Sequence, residues 1–172
     1  MVANSIITTG AGLIDQGAGT FTLSGPIGGA GSISVVGTGN LILTGSSNYA
    51  GTTSVNSGTL TVDGSLGNAA VNVASGATLG GNGSIGSAVT IANGGILAPG
   101  SSAGTLSVGA LNLNATSVLN WDLGQAYAAG GVYNDLVKVT GNLVLDGLLN
   151  VTDSNSFGLG VYQLGTYGGT LT

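Results

Sequence analysis

The chain has 172 residues, 35 of them Gly, and one lysine against six aspartates gives a formal net charge of −5. A single cation cannot neutralise the several phosphates that a nucleic-acid-binding protein contacts, so no nucleic acid is predicted as a partner. The low charge also gives no attraction to an anionic membrane, and no apolar run reaches the roughly 18 residues of a transmembrane helix, so no membrane insertion is predicted. Hydrophobic residues make up 42% and charged residues 4% of the chain, which excludes a disordered protein.

Short strands separated by glycine turns are predicted from the first residues onward. Ile6-Ile7 and Leu13-Ile14 indicate two strands with a turn between them. Three similar phrases follow at residues 17–25, 29–37 and 37–45, each with a Gly-x-Gly corner, a polar residue, alternating apolar residues and a closing Gly. The alternation marks strands with one buried face, and a Gly corner adopts positive φ without a Cβ clash. No stretch has the spacing and caps of a helix.

One phrase occurs three times in the middle of the chain. Its copies are residues 55–60, 73–79 and 91–97, and each copy begins 18 residues after the one before. Every copy has a β-branched residue, two residues of which the second is polar, a Gly and then a second apolar residue. A constant interval near 20 in a Gly-rich, β-branched sequence is typical of a solenoid, whose coils must stack to bury their apolar faces.

The intervals lengthen after residue 100, which predicts insertions at the corners near residues 99–104 and 126–134. Stacking the registers gives two inward columns, which are Val55, Val73, Ile91, Leu113 and Val139 in one, and Leu60, Leu79, Leu97, Leu119 and Leu143 in the other. The predicted fold is all-β, a single-stranded parallel β-helix (solenoid) with about 18–26 residues per coil. It forms one domain over residues 1–172, with the repeat clearest at residues 48–100 and looser coils at residues 101–172.

Few residues in this sequence could carry catalysis or hold a cofactor. The chain contains no His and no Cys, and Lys138, inside a Val-Lys-Val strand, is interpreted as an outward residue and not as the base for a serine nucleophile. Asp135 and Asp153 lie 18 residues apart and could stack as a carboxylate pair for glycoside hydrolysis, but the aspartates are interpreted as solvated turn residues. The Gly-x-Gly phrases lack the helix and the Gly-Lys-Ser/Thr of a phosphate loop, and the calcium-binding phrase of β-rolls is absent. We therefore predict no enzyme activity, no catalytic residue, no metal site and no cofactor.

The candidate site is an aromatic cluster beside the second predicted insertion. Trp121, Tyr127 and Tyr133 lie in and next to this Gly-rich loop. An exposed aromatic patch there could contact a sugar or a protein partner. The alternative is that Trp121 covers the open side of a coil and that the loop packs on it.

Several phrases together resemble the passenger-associated strand repeat of bacterial autotransporters. They are Tyr49-Ala-Gly-Thr-Thr-Ser-Val-Asn-Ser-Gly-Thr-Leu-Thr-Val62, Ser75-Gly-Ala-Thr-Leu-Gly-Gly-Asn-Gly-Ser-Ile-Gly86 and Gly94-Gly-Ile-Leu-Ala-Pro-Gly100, with looser likeness at residues 134–141 and 160–169. The resemblance implies a right-handed parallel β-helix, exported by a type V route and located at the bacterial cell surface or secreted. In this interpretation the chain is a structural, non-catalytic stem of a passenger or adhesin, and the aromatic cluster makes a host or matrix glycan or protein a candidate partner. The translocator barrel of that family is not recognised in this sequence, so the chain is expected to be part of a longer passenger.

A second hypothesis concerns the two ends of the stack. The charged residues nearest the ends are Asp15 and Asp153, and no polar capping segment is predicted at either end. An uncapped β-helix presents unpaired backbone groups, and a head-to-tail contact between copies builds a filament because it does not close. The chain could therefore be the subunit of a self-assembling extracellular homopolymeric filament, unless neighbouring passenger coils cover both ends.

Overall fold

A computed structural model describes residues 6–154 and 157–172. The regular secondary structure of this part of the chain consists of strands, and none of it forms a helix long and apolar enough to span a membrane. The strands in chain order are β1 Ile6–Thr8, β2 Gly12–Asp15, β3 Thr20–Leu23, β4 Ile27–Gly29, β5 Ile33–Val36, β6 Asn40–Leu43, β7 Ser46–Ser47, β8 Thr53–Val55, β9 Thr59–Val62, β10 Ser65–Leu66, β11 Val71–Val73, β12 Thr78–Gly81, β13 Ser84–Ile91, β14 Ile96–Pro99, β15 Thr105–Leu113, β16 Val118–Leu123, β17 Leu136–Val139, β18 Leu143–Val144, β19 Leu148–Asp153 and β20 Gly165–Thr166.

Two long parallel sheets and one short sheet form the walls of the stack. The seven-stranded sheet runs in the order β3, β6, β9, β12, β14, β16 and β19. The eleven-stranded sheet follows β2, β5, β8, β11, β13, β15, β17 and β20, with β7, β10 and β18 joined to it, and β1 pairs with β4. Each long sheet takes strands from successive coils, so the predicted parallel β-solenoid is confirmed. Right-handed winding, the rule for parallel crossovers, stays a prediction.

The two predicted inward columns are confirmed over four coils and wrong at their last members. The paired and buried residues are Val55, Val73, Ile91 and Leu113 in one column, and Leu60, Leu79, Leu97 and Leu119 in the other. Val139 pairs with Val108 and not with Leu113. Leu143 pairs with Leu111, and Leu149 is the residue that pairs with Leu119.

The physical reason for this error is the length of the coil that carries the second insertion. Asn120 and Asn150 occupy the same register position 30 residues apart, beyond the predicted maximum of about 26. The extra residues lie in a loop between β16 and β17, outside the wall of the stack. Lys138 follows this loop and is exposed between buried Val137 and Val139, as its Val-Lys-Val pattern predicts.

Candidate interaction surface

The inserted loop, residues 124–135, is closed on itself by one buried amide. The Asn134 side chain is fully buried, and its Oδ1 accepts hydrogen bonds from the backbone N–H groups of Gly124 (2.8 Å) and Gln125 (3.1 Å). Its Nδ2 donates to the carbonyl oxygens of Gln125 (2.7 Å) and Ala128 (2.6 Å). Because both ends of the amide are occupied, Asn134 holds the two arms of the loop together.

The tip of this loop presents two of the three predicted aromatic residues to solvent. Tyr127 is 81% exposed and Tyr133 is 51% exposed, with Val132 exposed between them. Tyr127 has φ of 64°, a conformation rare for residues other than Gly, and its N–H donates to the carbonyl oxygen of Val161 (2.9 Å). That bond ties the loop to the C-terminal segment and leaves a cleft of about 200 Å³ between them.

The structure does not bring Trp121 to this surface. Trp121 lies on β16 and is 2% exposed, and its Nε1 donates to the carbonyl oxygen of Leu164 (3.1 Å). The strand alternation explains its position, since Trp121 has the same inward phase as Leu119 and Leu123. An indole with a satisfied N–H inside the stack contributes to packing, so direct contact with a partner is left to Tyr127 and Tyr133.

The two aspartates considered as a carboxylate pair are not stacked. Leu123 pairs with Asp153 on one side of β16 and forms a bridge with Asn134 on the other, so β16 separates Asp153 from Asp135. Asp153 is exposed, but Asp135 is 2% exposed, and its interpretation as a solvated turn residue is wrong. Among residues 6–154 and 157–172, no three His, Cys, Asp or Glu side chains form a group that could hold a metal ion.

β19, at the C-terminal end of the seven-stranded sheet, forms an exposed apolar face. All six residues of β19 are exposed, and β19 is the last strand of its sheet, whereas the other long sheet continues to β20. Beneath this face lies a cavity of about 910 Å³. Its walls include the inward residues of the preceding coils and the C-terminal segment, among them Leu111, Leu119, Trp121, Leu143, Leu164 and Tyr167.

A turn of the C-terminal segment also stacks two aromatic rings. The rings of Phe157 and Tyr162 lie 4.8 Å apart, and the Tyr162 hydroxyl bonds to the N–H (2.9 Å) and the carbonyl oxygen (3.0 Å) of Gly158. Leu164, two residues later, packs against the core. Tyr162 and Leu164 thus line the cavity without filling it.

Comparison with known proteins shows what these coils are similar to. The passenger-associated-transport-repeat family model matches residues 13–27 and 35–62, which lie in the regular coils before the insertions. The chain is also 51% identical over 86 residues to the adhesin BmaC autotransporter of Brucella suis biovar 1 (strain 1330). The aligned residues are 48% of this chain and 2% of that relative, so the chain spans only a small part of its length. Both findings confirm the predicted resemblance to autotransporter passenger sequence and, with it, a secreted or cell-surface location.

Proposed function

We propose that this chain is a non-catalytic structural stem of an autotransporter passenger that displays the 124–135 loop at the bacterial surface. The observation that carries the proposal is the combination of stacked passenger-type coils with one clamped loop whose tip exposes Tyr127 and Tyr133. The separation of Asp135 from Asp153 by β16 supports the absence of a carboxylate pair for glycoside cleavage. The continuous buried core from Leu23 to Leu143 supports one β-helical domain.

The two tyrosines are the contact residues that we propose for a host or matrix glycan or protein. Tyrosine combines an apolar ring with a polar hydroxyl and loses little conformational entropy when it binds, which suits both kinds of partner. The similarity to an adhesin supports such a partner. Asn134 fixes the conformation of the loop in the unbound protein, and this lowers the conformational entropy lost on binding.

A binding experiment on glycan arrays and immobilised matrix proteins tests this contact. We expect the double variant Tyr127→Ala/Tyr133→Ala to lose about tenfold or more in affinity, as removal of central aromatic anchors does. Tyr167→Ala is the matched control, because Tyr167 is 49% exposed but lies at the C-terminal cavity. Equal binding by the wild type and the double variant would assign the contact to another surface.

The second candidate function is the subunit of a homopolymeric extracellular filament. The exposed β19 and the cavity beneath it favour a further strand in the seven-stranded sheet. At the opposite end of that sheet, half-buried Phe21 on β3 pairs with Leu41, in the same column as Leu119 and Leu149. A second copy stacked head to tail would place Phe21 over Leu149 and continue the column.

Electron microscopy and sedimentation of the purified chain at micromolar concentration test the filament. We expect fibres from the wild type and none from Leu149→Asp, since a carboxylate at the joint would be buried without a partner. Leu159→Asp is the control, because Leu159 is fully exposed in the C-terminal segment. Monomers of the wild type that remain unchanged over days would end the filament hypothesis and leave the stem.

A further inference from the structure

Asp135 joins three segments of the chain through a single buried carboxyl group. Its Oδ1 accepts the N–H of Gly104 (2.8 Å), and its Oδ2 accepts the N–H of Asp122 (2.8 Å). Its own N–H donates to the carbonyl oxygen of Asp122 (2.7 Å). A Cβ at Gly100 would lie 2.8 Å from Oδ1. The absence of a side chain at Gly100 therefore leaves space for this carboxyl beside the turn at residues 100–104. The group therefore links that turn, the end of β16 and the base of the 124–135 loop.

The charges around Asp135 do not compensate an ionised carboxylate. Residues 100–104 carry no titratable side chain, and on β16 the half-buried Asp122 is an acid that repels a second negative charge. On the other side, Tyr133 is exposed on the loop and Lys138, the chain's one cationic side chain, is exposed on β17. Two backbone N–H groups are thus the only charge-stabilising contacts of this carboxyl in the part of the chain that the structure describes.

We propose that Asp135 is a pH-sensitive latch, which holds the 124–135 loop on the solenoid in mild acid and loosens it as the pH approaches neutrality. Opening the latch brings water to the carboxylate, which favours the ionised form in the open state. The latch acts on the loop that carries Tyr127 and Tyr133, so it would regulate the contact surface of the proposed function. Its physical operation does not depend on what that surface binds.

The direction follows from proton linkage. Burial raises the pKa of Asp135 from its ordinary value of 3.8 to about 7, against the opposing effect of the two N–H groups, and the Asp122 charge adds a smaller rise. Between these two values the closed state binds more protons than the open state, so closure is favoured in acid and weakens as the pH rises from about 4 to about 7. Above about pH 7 the carboxyl is ionised in both the closed and the open state, and closure weakens no further with pH.

Amide hydrogen exchange, corrected for the intrinsic pH dependence of exchange, tests the latch. We expect protection of the Gly104, Asp122 and Gln125 amides to fall about tenfold or more between pH 5 and pH 8, while β12 amides stay protected. Asp135→Asn should abolish this dependence. Asp63→Asn is the matched control and should retain it, because exposed Asp63 also accepts an N–H from a neighbouring coil, that of Asn82.

Three results would overturn the latch. The first is protection of these amides that does not change with pH in the wild type. The second is a folded Asp135→Asn variant that keeps the same dependence. The third, decisive even where the variant fails to fold, is a carbon-13 titration of the wild-type Asp135 carboxyl with a midpoint near the ordinary value of 3.8. The binding experiment with the tyrosine variant is independent of these three results. If that variant loses binding while one of the three results is found, the contact surface stands and only the latch fails.

Discussion

Replacing Gly39 with Ala is expected to lower the free energy of unfolding by about 3 kcal/mol or more. A Cβ at Gly39 would lie 1.9 Å from the carbonyl oxygen of Gly19 in the preceding coil. That oxygen also accepts the N–H of Asn40 (2.9 Å), so it cannot move without disturbing the pairing of β3 with β6. The two coils must therefore separate locally to accommodate a single methyl group.

Gly19→Ala is the matched control for this prediction. Gly19 occupies the equivalent corner one coil earlier, neither glycine has positive φ, and nothing lies within 4 Å of a Cβ built at Gly19. Urea unfolding followed by circular dichroism gives both changes in stability from the midpoints and slopes. Similar losses for the two variants would show that the cost does not come from contact between coils, since the entropy change of the unfolded chain alone favours Ala over Gly.

The Gly-x-Gly corners show what could be predicted from the sequence and what could not. Positive φ was predicted for these corners, and it is found at the first glycine of each pair, Gly17, Gly29 and Gly37. Both glycines of the second and third pairs also leave space for the coil before, because a Cβ at Gly29, Gly31, Gly37 or Gly39 would meet its backbone atoms. Backbone conformation is a local property that a short phrase encodes, whereas the space between coils depends on residues about 20 positions away.

The same distinction explains the fold and the candidate site. The columns of buried residues were predictable up to Leu113 and Leu119, since a fixed interval of β-branched and leucine residues sets the register there. After Leu123 the insertion removes the fixed interval, and the register is set by contacts within the loop and its base. The sequence leaves open whether the aromatic cluster is an exposed patch or whether Trp121 covers a coil, and the structure exposes Tyr127 and Tyr133 but buries Trp121. The burial of Asp135 is not predicted from the sequence, because it depends on tertiary neighbours.

Asn134→Ala is expected to destabilise the protein by about 3 kcal/mol and to release the 124–135 loop. The substitution leaves four backbone groups without their partner, namely the N–H groups of Gly124 and Gln125 and the carbonyl oxygens of Gln125 and Ala128. Each buried group that stays unpaired costs about 1–3 kcal/mol, and exposure of the loop to water relieves part of the total. The variant should therefore combine a lower unfolding midpoint with rapid proteolytic cleavage inside the loop.

Asn68→Ala is the control for Asn134→Ala, since Asn68 is an exposed residue between β10 and β11. It should change the free energy of unfolding by less than about 0.5 kcal/mol and leave cleavage of the loop at the wild-type rate. Comparing cleavage with global unfolding then separates two outcomes for Asn134→Ala. Faster cleavage under conditions where the solenoid stays folded would show that the loop opens before the solenoid unfolds, as the local hydrogen bonds of Asn134 predict. An unchanged cleavage rate together with an unchanged midpoint would show that other contacts hold the loop. The backbone hydrogen bond from the N–H of Tyr127 to the carbonyl oxygen of Val161 is one such contact.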